Sequence, residues 1–248
     1  MMQITSVEEV STIRRPDSIR LAETETARLA AVLRSLDDEA WAAPTDCPLW
    51  DVRAMAGHVL GMVETFSSLR SFARDMRAGA KAAGDGPFID GLTAVQVQAH
   101  AGLSRSELID RLETRGPVQA AWRGSRHLMR QIRTTEDGPD GPETWKAGYL
   151  FDIILTRDTW MHRVDITRAT GTPMELTPDH DGRIVADVVA EWARRHGQPF
   201  TLRLTGPAGG AWASGTGGED IEMDAVELCR ILADRADGQG LLTQSVPF

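Results

Sequence analysis

Tyr149 Leu150 Phe151 Asp152 Ile153 Ile154 Leu155 Thr156 Arg157 Asp158 Thr159 Trp160 Met161 His162 Arg163 Val164 Asp165, running on to Gly171, is the stretch that decides how this chain is read. Its spacing predicts a helix on which Phe151, Ile154, Leu155, Asp158, His162, Asp165 and Ala169 share one face, because residues three, four and seven apart lie above one another. Two carboxylates and an imidazole thus interrupt an apolar face. Ionisable groups are costly to bury unless they are paired or hold a metal, and an Asp and a His one turn apart can share one ion. A buried Asp–His hydrogen bond that only fixes helix packing accounts for the same pattern. Gly171, with Pro173 two positions on, gives the helix its stop.

Working outward, a second inward imidazole lies on an earlier helix. Asp51 is placed to cap the free amides of a segment in which Val52, Met55, Val59, Met62, Val63 and Phe66 form the apolar stripe, with Trp50 packing on Met55 as a staple. His58 sits on the edge of that stripe, flanked by Gly57 and Gly61, which open space against a facing helix or a ligand. A lone histidine there serves as a hydrogen-bonded core residue or as the remote third ligand a metal needs.

The remaining pattern is helical up to residue 173. Ser6 with Glu9 fits a capping box, and a long helix follows from Pro16 through Ile19, Ala22, Thr26, Leu29, Val32, Leu33 and Leu36, with Arg20, Glu23, Arg28 and Arg34 on its solvated side. Asp37–Leu49 reads as a turn-rich connector. The glycine-rich run from Gly79 to Gly102 reads as a long connection with a short helix near Ala94–His100. Ser104 with Glu107 opens another helix, which Gly116 and Pro117 are expected to kink or split, and Glu136–Pro142 reads as a loop. Four principal helices result. Beyond Thr177 the character changes: a helix over Asp179–His196, alternating strands at Phe200–Thr205 and Ala211–Ser214 across the Gly206–Gly210 turn, a strand at Glu219–Met223, and a last helix opened by Asp224 with Glu227. The expected class is α+β, a four-helix bundle over residues 1–175 followed by a small α/β domain over 176–248.

Composition excludes several functions. The formal net charge of −9 opposes a broad nucleic-acid surface, which needs clustered cations. Cys47 and Cys229 are far apart and lack a CxxC partner, so neither a disulfide framework nor a cysteine zinc site is indicated and a reducing cytoplasm is expected. No run of eighteen apolar residues and no leader-like segment occur, so neither secretion nor membrane insertion is expected. Lysine stands only at Lys81 and Lys146, and this arginine-rich, alanine-rich usage suggests a high-GC bacterial source. The run Gly206–Gly218 lacks the GK[ST] ending of a phosphate loop, and no GxSxG elbow is present. His100, His127, His180 and His196 lack partners at ligand spacing and read as surface or supporting residues.

Pro44–Gly61, with Cys47 Pro48 Leu49 Trp50 Asp51 Val52 Arg53 and His58, resembles the N-terminal motif of the mycothiol-dependent maleylpyruvate isomerase family, whose helical domain is a DinB-like bundle. Asp158 Thr159 Trp160 Met161 His162 Arg163 Val164 Asp165 resembles that family's second motif, a carboxylate, three residues and a His. Gly215–Met223 followed by Asp224–Arg235 is similar to its appended sterol-carrier-like α/β domain. The resemblance implies that His58, Asp158 and His162 bind zinc or another divalent metal, with a coordination position left for the sulfur of mycothiol. The sulfur then comes from the cofactor, not from Cys47 or Cys229. Asp158 stands where the family usually has Glu, one methylene longer. Asp165 reads as a support that orients His162, and Arg163 as its partner or as a solvent-facing residue. Arg53 and Arg235 are candidates for holding the cofactor or an acidic substrate. The implied activity is isomerisation or conjugation of a small electrophilic substrate, as in a maleylpyruvate isomerase or a thiol S-transferase, by a monomer or homodimer. The alternative is a non-catalytic DinB-like protein that binds a metal or small molecule, or a bundle in which the cluster is a metal-free polar core.

Overall fold

The computed structural model describes residues 3–138 and 141–248, and the chain forms an α+β fold of two compact units. One unit contains Arg15–Ile132 and Ala147–Met174; the other contains Met1–Arg14, Arg133–Lys146 and Glu175–Phe248. The expected division at residue 175 is continuous in sequence, whereas these units are not. Among the described residues, no helix is long and apolar enough to cross a membrane.

The first unit is helical: α1 (Arg15–Ser35), α2 (Val52–Thr65), α3 (Leu69–Ala83), α4 (Phe88–His100), α5 (Arg105–Ser125), the single turn α6 (Ala147–Tyr149) and α7 (Leu155–Thr170). Its starts follow the expected caps. Asp51 accepts from the Ala54 amide at 2.7 Å, and Ser104 with Glu107 forms a complete capping box. Gly171, at φ +66°, closes α7 in the left-handed conformation that glycine adopts without a Cβ penalty. Leu29, Leu33, Val52, Met55, Val59, Leu60, Leu112 and Ile166 form one buried cluster; Met62, Phe66, Trp122, Phe151 and Leu155 form a second, with aromatic rings packed edge to face.

Several expectations fail here for one reason. The segment Gly79–Gly102 is not a long connection: α3 and α4 occupy nearly all of it. A Cβ on Gly91 would lie 2.3 Å from the Ala83 nitrogen and 2.4 Å from the Gly79 carbonyl oxygen, so glycine there lets two helices touch through their backbones. Gly116 has the same task on α5, where a Cβ would approach Thr26 of α1 to 2.6 Å. The helix continues through Pro117 and is not split there. Ser6 and Glu9 form no capping box; Val7–Glu9 is a 3-10 turn without a side-chain cap.

Helix α7 is entered through a π-type turn, Leu150–Ile154. Such a turn displaces the normal ladder, and here the Phe151 carbonyl accepts from the buried guanidinium of Arg123, whose Nε lies 2.6 Å away. Arg123 also donates to Thr156 Oγ1 at 2.9 Å. Burial lowers this guanidinium to about 10, with Asp152 and Asp158 opposing the shift, so it stays charged at neutral pH. Nearly every side of α7 is enclosed: Arg157, Trp160, Met161, Arg163, Val164 and Asp165 are all buried. Arg163 does not face solvent. It forms a bidentate pair with Glu25 of α1 at 2.5 and 3.0 Å, both side chains being fully buried.

The second unit holds β1 (Thr5–Ser6), β2 (Arg133–Gly138), β3 (Gly141–Lys146), α8 (Arg183–His196), β4 (Phe200–Thr205), β5 (Gly210–Ser214), β6 (Glu219–Asp224) and α9 (Ala225–Leu232). The four-stranded sheet has the order β1-β5-β4-β6; β4 runs antiparallel to β5, whereas β1 is parallel to β5 and β6 to β4. The expected β4–β5 hairpin, the strand β6 and the Asp224-capped helix are all present. The loop expected at Glu136–Pro142 is instead part of an antiparallel ribbon pairing Arg133 with Lys146 through Gly138 with Gly141, and its tip at 139–140 lies outside the described residues. This ribbon of Thr, Glu and a single Trp offers little apolar alternation, which hides it from a periodicity reading.

Candidate metal centre

Helices α2, α4 and α7 and the loop before α2 converge in the helical unit on one cluster of polar side chains. His58 and His162 are 2% and 5% exposed, while the Asp158 side chain keeps 20%, so solvent reaches the cluster on the carboxylate side. Both imidazoles turn Nε2 toward Asp158 Oδ1, at 3.7 Å from His58 and 3.3 Å from His162. The three donor atoms lie within 4.8 Å of one another. Zinc bonds of about 2.0–2.2 Å in tetrahedral geometry set ligand–ligand separations of about 3.3–3.6 Å. One of the two Asp158 distances falls in that range and the other lies just beyond it.

The other ring nitrogens are engaged outward. His162 Nδ1 donates to the Asp165 carboxylate, Oδ2 lying 3.3 Å away, and His58 Nδ1 lies 3.0 Å from the Gln96 side-chain amide. Outer acceptors on Nδ1 leave Nε2 as the inward-facing nitrogen, the arrangement in which imidazoles ligate metals. Asp158 Oδ2 is buried with no hydrogen-bond partner among the described residues. A buried carboxylate oxygen left unsatisfied beside two imidazole nitrogens suits a cation, since native interiors seldom strand such atoms. The donor set and its spacing fit a divalent metal.

In the metal-free protein, the same atoms form a charge cluster. Burial disfavours charge on both Asp158 and His162, but attraction between them, with hydrogen bonds from His162 and His58 to Asp158, outweighs it. The Asp158 carboxyl is held well below the usual carboxylate range. His162 is raised to about 9 by Asp158 and Asp165 against the desolvation that would lower it. A histidine with a raised folded-state pKa contributes stability that is fully present below its unfolded value near 6.5 and lost as pH rises through 9. Metal-free protein should accordingly lose on the order of 1–3 kcal/mol of unfolding free energy between pH 6 and 9.5. Asp158 titrates only in acid and does not mask the change. Urea titrations across that range check this, and the slope should flatten in His162→Gln; equal slopes would show that His162 carries no such pairing.

Trp50 stacks on the cluster, its ring 4.8 Å from that of His58 and 5.9 Å from that of His162, so its face covers the imidazoles as well as the core around Met55. Cys47 Sγ lies 4.0 Å from Asp165 Oδ2, close to His162. Read from sequence, Trp50 has only a staple role and Cys47 none; their place in the connector just before the His58 helix is the signal that could have found them. Gln96 had no such signal, because its segment read as a short helix within a long connection and no partner for it was in view. His58, Asp158, His162 and Asp165 thus come together. Arg53 instead donates to the Ala101 carbonyl at 3.3 Å and to that of Leu103, tying α2 to the α4–α5 connection. Arg235 belongs to the other unit, where it donates to the Ala233 carbonyl. His100 and His180 are buried rather than superficial; His100 donates to the Gln96 carbonyl and pairs with Glu64 at 3.2 Å.

Residues 22–167 match the family model described as the mycothiol maleylpyruvate isomerase N-terminal domain. Two crystal structures of the mycothiol-dependent maleylpyruvate isomerase resemble the whole chain. One is 16% identical, with a TM-score of 0.56 over 95% of this chain and 94% of that one. The other, a histidine-to-alanine mutant, is 15% identical, with a TM-score of 0.56 over 94% and 93%. No curated protein sequence matched.

Proposed function

Given that the chain belongs to the mycothiol maleylpyruvate isomerase family by its N-terminal domain, we propose that it is a metal-dependent enzyme using mycothiol on a small electrophilic substrate. The cis–trans isomerisation of maleylpyruvate is the first reaction to test, and thiol conjugation the second. The observation that supports this reading best is the pair of inward imidazole nitrogens at 3.3 and 3.7 Å from one oxygen of Asp158. When bound, a divalent metal supplies Lewis acidity that keeps a coordinating thiol ionised at neutral pH.

The chain's own residues have separate tasks. His58, Asp158 and His162 hold the ion. Asp165 keeps the His162 proton on Nδ1. Trp50 shields the imidazole side from water, so that access is from the part-exposed edge of Asp158. Cys47 has no assigned role, since the sulfur belongs to the cofactor. A low-molecular-weight thiol is kept reduced in the cytoplasm, the compartment this reading calls for.

Protein purified without added metal should carry close to one equivalent of zinc or another divalent ion. Calorimetry should then detect mycothiol binding to metal-loaded protein and none to chelator-stripped protein. Metal without detectable thiol binding would leave a metal-binding protein without this activity, and a metal content far below one equivalent, unchanged in His58→Ala, would remove the metal as well.

A further inference from the structure

The amide of Gln96 is held in one orientation by a chain of buried groups that begins on α3. Arg74 donates to both oxygens of Asp75, at 2.6 and 2.9 Å, so this carboxylate acts as an acceptor. Thr65 donates its single hydroxyl proton to Asp75 Oδ2 at 3.0 Å. What Thr65 Oγ1 then offers is lone pairs, and the Met62 sulfur beside it offers the same. Gln96 Nε2 lies 3.3 Å from Thr65 Oγ1 and 3.1 Å from Met62 Sδ, against two acceptors. An amide turned the other way would set its oxygen against both. Gln96 Oε1 must therefore face His58 Nδ1, at 3.0 Å, and that nitrogen must carry the proton.

The site is built to hold this side chain. Gln96 is 3% exposed and Thr65 fully buried. A Cβ on Gly61 would lie 2.4 Å from Gln96 Cβ and 2.5 Å from its Cγ, so a bare backbone on α2 is what admits the amide to His58. The clearance that Gly61 provides is thus taken by a side chain of the facing helix.

We propose that Gln96 is a positioning residue, and that the sequence Asp75, Thr65, Gln96 holds a proton of His58 on Nδ1 and leaves Nε2 as the nitrogen that faces Asp158 and His162. The consequence for metal binding rests on the function proposed above; the proton assignment stands without it. Which ring nitrogen carries the proton is set by the bond the other makes, so the relay prepares the ring before any ion arrives.

Two measurements test this. Nitrogen-15 NMR of histidine-labelled metal-free protein, at alkaline pH where a free imidazole is neutral, should place the His58 proton on Nδ1 in wild type and move it toward Nε2 in Gln96→Leu and Thr65→Val. Zinc affinity, measured against a chromophoric chelator, should fall about 10–100-fold in Gln96→Leu. A wild-type proton on Nε2, or a Gln96→Leu protein with unchanged His58 shifts and zinc affinity, overturns the proposal. The wild-type spectrum decides the proton assignment even if a variant fails to fold. A wild type with His58 protonated on Nδ1 that binds no zinc would uphold the relay and overturn the metal centre.

Discussion

Asp158→Asn should lower zinc affinity by at least about 100-fold, beyond the range typical of outer-sphere changes, and reduce mycothiol-dependent turnover to background. The substitution nearly preserves shape, so its effect isolates charge. Asp158 is the group facing both Nε2 atoms, and its Oδ2 has no other partner among the described residues. An amide there loses the anion that a divalent ion needs and sets an NH2 group or a weak carbonyl between two imidazoles. The His162 charge also loses the partner that raises it most, leaving Asp165. Metal-free Asp158→Asn should therefore be less stable than wild type at pH 7, with the difference narrowing toward pH 9.5. Asp158→Glu keeps the charge, but its extra methylene carries the oxygen past a position already at ligand spacing, so affinity should fall rather than rise. Chelator competition on the three proteins checks the series. An asparagine variant that retains zinc as wild type does would take Asp158 out of the ligand set.

The largest effect on stability is expected from a residue outside that set. Glu25→Ala should cost about 3–5 kcal/mol, because it strips a fully buried guanidinium of its bidentate acceptor while leaving the cation in place. In a chain of this size the melting temperature of the helical unit should fall on the order of 10 °C. Replacing both partners at once, Glu25→Leu with Arg163→Met, should recover most of that loss, since an apolar pair carries no desolvation penalty. Urea unfolding followed by tryptophan fluorescence measures both. A cost below about 1 kcal/mol for Glu25→Ala would mean that the pair is as well solvated as a surface ion pair. Arg163 adjoins His162, so the same variant tests whether the seating of α7 on α1 matters for holding the ligands.

The helix that carries Asp158 and His162 was legible because three independent local signals agreed: an apolar period, an ionisable stripe along it, and glycine then proline at its end. The second ligand helix was legible for similar reasons, and its Asp51 cap is observed. What escaped was long-range. Gly79, Gly91 and Gly116 carry the same letter whether the chain breaks there or presses against another backbone, and only the partner distinguishes the two. Mistaking contact glycines for breakers cut α4 down to its last turns, Ala94–His100, and hid the packing that brings Gln96 to His58. Arg163 could be read only against its sequence neighbours, and its partner stands 138 residues away. Asp158 for Glu looked like a deficit along the sequence. In space, one carboxylate oxygen lies 3.3 and 3.7 Å from the two imidazole nitrogens.

The parallel pairing of β1 with β5 sets Thr5 beside Trp212 and Ser6 beside Ala213. On a ribosome adding about 5–20 residues per second, the first strand emerges roughly 10–40 s before the strand it must join. Throughout that interval the helices from α1 to α7 can assemble, while the N-terminal segment waits with its backbone donors and acceptors open to water or to any other exposed strand edge. A nascent chain stalled before residue 210 should therefore leave the Thr5 and Ser6 amides unpaired, and their hydrogen exchange should slow only once β5 has been made.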